Sequence, residues 1–586
     1  GWSTHTDGDM SLLCIPALAF AILPQERPLI RGAYRGPYDE VLQAELGSRD
    51  GIQNATLIDG WERWEFWFEH ERANLFRGKS RTGARVLRED GRYGIGDWRL
   101  TRKEVLNTSL PLLDNLMESP FPEVRESSAL ALGRIGDPSS LPLLLAAAKD
   151  PIAQVRQAAL LGLGLLDNDR ALVYLGEKFS ETRGSVNDRC FAAIGMGLSG
   201  RKEAAELLRM ALERNLKTDR LFGEQERVLL ATVWAAGLQR SEDFVPILVM
   251  GGAELSSSAA AASRRVRTLI CWALGAIGDS SARGWLVRQL RGRDPILQRA
   301  AAQALANLGD PSAIPALAEV SGAPIDLQTR VFALLAIGRL GGESAEAHLR
   351  ELEEVVREHR QLYSAWGLSV GLSNSDSLIE GVFNEFISSE KRDPWEDDPN
   401  SLKMRRDQER MRSALALGLA FHGDGRTVEQ FSQAALRKGA SPDFVGYLCI
   451  ALGHLGGEKA EKILEAISKE GNAQEDCRRG LALGWSLLNN ERGAIESANM
   501  VIHERDASTR LSAARSLGLT HSSSVNQLIV RQLTDNSASF SPDKKAHLVT
   551  ALGYLGDPYL ADRLAAAIEG INFRQEFGLL RALSTY

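Results

Sequence analysis

The sequence predicts an all-α fold: an α-solenoid, or superhelix, of about 13–14 helix pairs with a Trp-rich capping segment on its N-terminal side. Three observations carry this. A chain of 586 residues is too long for one globular core unless it is built as an array. An A-L-G phrase recurs along it with a mean period of 35 residues, the range of helical arrays. No strand-like alternation recurs within that period, which disfavours leucine-rich arrays and propellers.

The column of the phrase runs Gly133, Gly164, Gly197, Gly237, Gly275, Ala306, Gly338, Gly371, Gly418, Gly453, Gly484, Gly518 and Gly553. Most steps are 31 to 35 residues; the exceptions are 40, 38 and 47. "VRESSALALG", ending at Gly133, reads as an amphipathic helix with small residues on one side, which permits close helix packing. Gly136 suits the left-handed residue that ends a helix. Asp137 then caps the next helix, with Pro138 in its first turn. Gly309-Asp310-Pro311 and Gly556-Asp557-Pro558 repeat the device. The phrase is therefore a junction between helix pairs, not a phosphate loop.

A basic column stands eight residues before the glycine: Arg125, Arg156, Arg189, Arg267, Arg330, Arg410, Arg510 and Lys545. Asp150 lies six residues before Arg156, in the turn inside a pair. This ladder reads as structural, each arginine bonding turn carboxylates and carbonyls, because it follows the period and forms no patch. A ladder that binds an acidic partner is the other reading.

The D-x5-R spacing, the A-A-x-x-G helix and the G-D-P junction resemble HEAT repeats, in the short bacterial form also seen in phycobilisome-lyase-like repeats. The resemblance covers about residues 103 to 586. It implies a scaffold or adaptor, since most such proteins are that and a few are enzymes. "GAYRGPYDEV" at 32–41 and "WERWEFWFEHERANL" at 61–75 resemble the start of uncharacterised exported planctomycete HEAT proteins. In that group a signal peptide, a G-x-Y-R-G-P stretch, a linker and a Trp-rich helix precede the repeats. Here the linker is short and lacks the usual Gly and Pro. The implied organisation is a targeting segment at 1–31, a linker at 32–60, a Trp-rich cap at 61–102 and repeats over 103–586, with an insertion at about 388–408.

Met10 is followed by an apolar run of signal-peptide length, with Ala19-Phe20-Ala21 as a small-x-small cleavage pattern. This predicts export to the periplasm or the outside; without cleavage the chain is expected in the cytoplasm. No apolar run reaches the ~18 residues of a membrane helix. A net charge of -7 and a pI near 5.9 disfavour nucleic acid as partner. The five cysteines form no C-x-x-C.

Trp61, Trp64 and Trp67 share one broad helix face, either to bind a partner or to cap the open end of the first repeat. The longest step holds an acidic loop, Asp393, Trp395, Glu396, Asp397 and Asp398, offered as a partner contact; it lacks the spaced ligands of a calcium loop. Arg339, His454, Trp485 and Tyr554 follow the column glycines and are offered as a groove-lining set. H-E-x-x-H, G-x-S-x-G and P-loop motifs are absent, so no catalytic residue, metal or cofactor is assigned. Deoxyhypusine hydroxylase, an enzyme of HEAT repeats, holds iron through His-Glu dipeptides; this chain has only His70-Glu71 and His503-Glu504, both out of register. The expected function is a non-catalytic scaffold whose elongated concave surface binds a protein or peptide. The alternative is a lyase or metal-dependent hydroxylase acting in the groove.

Overall fold

The computed structural model describes residues 86–559, apart from 217–222, 256–260, 390–400, 470–474 and 536–539, together with Trp64, Trp67, Phe68 and Leu75. Among these residues the chain is a run of thirteen helical hairpins, outer helix then inner helix. The inner helices are α1 (Pro122–Ile135), α2 (Ala153–Leu165), α3 (Val186–Ser199), α4 (Gly223–Gln239), α5 (Ala261–Ile277), α6 (Pro295–Leu308) and α7 (Leu327–Leu340). They continue as α8 (Arg360–Ser373), α9 (Ser401–His422), α10 (Pro442–Leu455), α11 (Glu475–Leu487), α12 (Ala507–Ser516) and α13 (Pro542–Leu555). The all-α solenoid is the observed class. Among the described residues, strand-type pairing is confined to the isolated bridges Leu87–Tyr93, Arg92–Thr101 and Arg99–Ser522.

Glycine sets the spacing between inner helices. A Cβ built on Gly164 would lie 2.5 Å from the Gly195 Cα; on Gly197, 2.7 Å from the Ala235 Cα; on Gly338, 2.6 Å from the Ser369 Cα. No side chain fits there, so neighbouring backbones touch directly. Each helix offers two such small positions, two residues apart, one for each neighbour. In α2 they are Gly162 and Gly164.

That duplication corrects the column at two places. A residue with positive φ ends most inner helices three positions after the column: Gly136, Gly200, Gly309, Gly341, Asn374 and Gly456. In α9 it is Gly423 and in α11 Asn489. The column therefore passes through Ala420 and Ser486. Gly418 and Gly484 take the other small position, against Gly371 and Gly453.

The array does not end in the open. α13 packs against α1 as each inner helix packs on the next. A Cβ on Gly553 would lie 2.7 Å from the Ala131 Cα, the same approach found inside the array. The outer layer closes too. The Ser109 hydroxyl, in a π-turn (Val105–Ser109) leading into the outer helix Leu110–Leu116, donates to Asn526 Oδ1 at 2.7 Å. Asn526 lies in the outer helix Ser523–Thr534. The expected elongated superhelix is thus corrected to a closed ring. Small rotations per hairpin add up, and here they return the thirteenth to the first.

The junction devices are visible at atomic scale. Gly136 and Gly309 have φ of 66° and 69°. Asp137 and Asp310 accept from the amides of Ser139 and Ser312 at 3.1 and 3.0 Å and start short 3₁₀ turns. Gly556 differs: its φ is −90°, and its carbonyl accepts from the Tyr93 hydroxyl at 2.9 Å. Asp557 is buried and accepts from the Tyr559 amide.

The ladder bonds inward to the turns. Arg125 grips the Asp150 carboxylate at 2.9 and 3.1 Å and donates to the Ser119 carbonyl. Arg156 bonds Asp188 and the carbonyls of Asp150 and Pro151. Arg189, Arg330 and Arg510 donate to the carbonyls of Phe179, Ser321, and Glu504 and Arg505. Arg267 and Lys545 are half-buried in the same column. With the register of α9 corrected, Arg412 replaces Arg410 in the ladder, and Arg478, bonded to Glu504, joins it. Arg410 instead meets Asp407 one turn away.

Asp150 also accepts from the Ile152 amide at 2.8 Å, so it ties α1, α2 and the turn between them. Asp150→Ala is expected to lower stability by about 2 kcal/mol, less than for a fully buried pair because both side chains keep some exposure. Urea unfolding measures it; Asp90→Ala, at an exposed surface pair, should change little.

Candidate functional site

Two regions gather functional side chains: a cleft on the junction rim, and the seam where the ring closes.

The cleft, about 600 Å³, lies between the junctions that follow α9 and α10. Phe421 and His454, each one residue past its column, stand edge-on with ring centroids 5.0 Å apart. Gly423, Gly425, Gly456 and Gly457 line it, with open space where a Cβ would stand. Backbone is therefore exposed beside two rings. Arg426, fixed by Asp424 and Glu380, stands at one junction, and Glu458 and Lys459 at the other. Volume and lining suit the binding of a ligand segment.

The seam is crossed by a strap, residues 86–102. Arg102 donates to the Ile135 carbonyl at the end of α1, at 2.7 Å. The Tyr93 hydroxyl reaches Gly556 after α13. The Leu100 amide donates to the His521 carbonyl after α12, at 2.8 Å. Arg99 donates to the Thr520 carbonyl and to Asn489 Oδ1 after α11. One strap thus holds the ends of four consecutive inner helices across the closure. Burial lowers the Arg99 guanidinium to about 10. Beneath the strap the buried Arg134 stands 4.0 Å over the Tyr554 ring and donates to its hydroxyl at 3.1 Å, joining α1 to α13.

The sequence candidates fall in different places. Trp64 and Trp67 are buried, so they are not a free partner surface. Trp64 packs on Tyr447 of α10 at 5.1 Å, and Phe68 on Tyr447 and Phe421. This corrects the cap: these rings sit on the tenth and ninth hairpins, not on the first. Trp98 belongs to the strap instead, with the Arg99 guanidinium 4.0 Å over its ring. Trp485 is buried at the corrected register, its carbonyl against Gly493 of the outer helix, and lines no groove. Tyr554 is buried in the seam; Arg339 is half-buried; His454 alone of that set is exposed, in the cleft. Trp61, the segment 1–60, and Asp393, Trp395, Glu396, Asp397 and Asp398 lie outside the described residues.

Sequence reasoning missed Tyr93, Arg99, His521, Phe421 and Arg426. The signal for the cleft was the doubled glycine of "LGGEKA", which leaves a junction without side chains. The strap had no signal beyond its glycines.

Residues 109–186 and 252–334 match the family model for HEAT repeats. The chain carries HEAT repeats. No curated protein matches its sequence. Among solved structures, yeast importin-β (Kap95p) is 12% identical, with 91% of this chain and 80% of that one covered and a TM-score of 0.36. The CpcE–CpcF complex of phycocyanin lyase from Nostoc sp. PCC7120 is 20% identical over 42% of this chain and 94% of that one, TM-score 0.29. Human deoxyhypusine hydroxylase is 18% identical over 45% and 96%, TM-score 0.21. These likenesses are loose and do not decide what this HEAT array does. Among the described residues no three His, Cys, Asp or Glu side chains gather as metal ligands, and no helix is long and apolar enough to cross a membrane.

Proposed function

We propose that this HEAT ring is a non-catalytic scaffold that holds an extended segment of a partner protein at its junction rim. The observation that supports it is the cleft between the α9 and α10 junctions. Exposed glycine backbone there offers hydrogen bonds to a peptide main chain. Phe421 and His454 offer a surface for one apolar or aromatic side chain, and Lys459, Glu458 and Arg426 offer charges on both sides. The net charge of -7 makes a protein a better partner than nucleic acid. Export belongs to the same proposal, resting on Met10–Ala21; mature N-terminal sequencing tests it.

A photo-crosslinking residue at Lys459 is expected to trap the partner in the native host, while one at Val173, exposed on an outer helix, traps none. With the partner in hand, His454→Ala with Lys459→Glu should weaken binding roughly tenfold or more. Equal adducts at both positions, or unchanged affinity, would count against the cleft.

A further inference from the structure

The seam is the only inner-helix joint, among those described, whose two helices are not consecutive in the chain. Its closure rests on contacts alone, and the strap supplies many of them. At the centre lies His521, 1% exposed and held at a left-handed φ of 43°. Its ring stacks on Tyr93 of the strap, centroids 5.3 Å apart and 25° from parallel. Its Nδ1 donates to the Leu555 carbonyl of α13 at 2.8 Å. One imidazole therefore touches the strap, its own junction and the far side of the seam.

The surroundings suit a neutral ring and oppose a charged one. Nε2 is buried without a hydrogen-bond partner, so a proton added there finds no acceptor. The nearest ionised group from the strap is Arg99, a like charge. Arg102 of the strap faces Tyr93 and Asp137. The Glu104 carboxylate is turned to Thr101 and Ser523. From α11 comes the uncharged Asn489, and from α13 only the Leu555 carbonyl. Across α13, His547 is a second buried imidazole. It is 3% exposed and accepts at Nδ1 from Arg510 at 3.2 Å. It lines a cavity of about 50 Å³ between α13 and α1. Arg510 and Arg515 face it from α12, with Asp506 farther off, Glu123, Glu126 and Arg134 line the cavity from α1, and Asp543 from its own helix.

We propose that the ring is a gate: it opens between α13 and α1 on acidification, with the strap as its clasp and His521 as the group whose protonation releases it.

The sign follows from the shift. Burial, with Arg99 adding to it, lowers His521 from its ordinary 6.5 to about 4 in the closed ring. An opened seam returns it to solvent and to its ordinary value. Closure is then fully favoured above pH 6.5 and progressively lost as pH falls from 6.5 toward 4. The ratio of closed to open falls about 30-fold at pH 5 relative to pH 7.5. His547, lowered to about 3 by burial and by Arg510 and Arg515, adds in the same direction.

Hydrogen exchange on the full chain at pH 7.5 and 5.0, corrected for intrinsic rates, tests this. Peptides of α1 and α13 are expected to lose about 30-fold in protection at pH 5.0, while those of α5 and α6, across the ring, keep theirs. His521→Asn keeps a donor for Leu555 and tolerates the left-handed backbone, but does not titrate. It should stay closed at pH 7.5 and lose less than half of the wild-type effect, on a logarithmic scale, at pH 5.0. Seam peptides that respond no more than α5 and α6 would overturn the proposal, as would a His521→Asn response equal to the wild type. The wild-type comparison decides alone if that variant does not fold.

Discussion

Gly371→Ala is expected to cost at least about 3 kcal/mol of stability, measured by urea unfolding, although it adds one methyl group. The methyl would be driven into the Cα and carbonyl of Gly418, which are backbone and cannot rotate aside. Relief requires moving α8 from α9, and every outer helix stacked on them follows. Gly381→Ala makes the identical change on the outer helix Ile379–Ser388, where nothing lies within 4 Å of the new methyl. It should be neutral or stabilising by up to about 1 kcal/mol, through reduced freedom of the unfolded chain. Opposite signs for one chemical change would locate the close contact. Equal effects would remove the glycine joints from the account of the fold.

Arg412→Ala is the second large effect, about 3–5 kcal/mol. Its side chain is 1% exposed, with the guanidinium 4.7 Å from the Phe386 ring and 5.1 Å from the Phe444 ring. Truncation removes a cation held between two aromatic faces and leaves a cavity between α9, α10 and an outer helix. Arg412→Met should recover part of the loss by filling the space. Arg410→Ala, at the partly exposed Asp407 pair, should stay within about 1 kcal/mol. The two arginines are two residues apart, so the comparison also tests the register of α9. Thermal unfolding of the three variants side by side suffices.

The solenoid was legible because its parts are local. A helix end that needs a left-handed residue takes Gly136 or Gly309, and the next turn takes Asp137 or Asp310 as its cap. Such choices print directly on the sequence. The register failed at α9 and α11 for a physical reason: both small positions of an inner helix accept glycine. A lone Gly418 or Gly484 therefore cannot say which neighbour it serves. Trp485 was misplaced by the same slip; at the corrected register it is a buried residue and not a groove position. Closure was illegible because it depends on the summed rotation of thirteen hairpins, about 28° each for a full circle, and no phrase encodes an angle. One trace was present. A terminal repeat needs a polar outer face, yet α1 carries Ala129 and Ala131 on its helix, and both are buried. The cleft was half legible. His454 was found by its column position, and Phe421, in the same position of α9, was hidden by the register slip.

Closure also fixes a count. An open array can gain or lose a hairpin at either end and only change length. In a ring whose thirteenth inner helix meets the first through Gly553 and Ala131, deletion of one unit shares a full turn among twelve, and every glycine joint must change its angle at once. The number of repeats is then a whole-molecule property, held in place by backbone contacts too short to stretch. Substitutions on the outer face of a single hairpin leave that closure untouched, while a change in the number of hairpins breaks it.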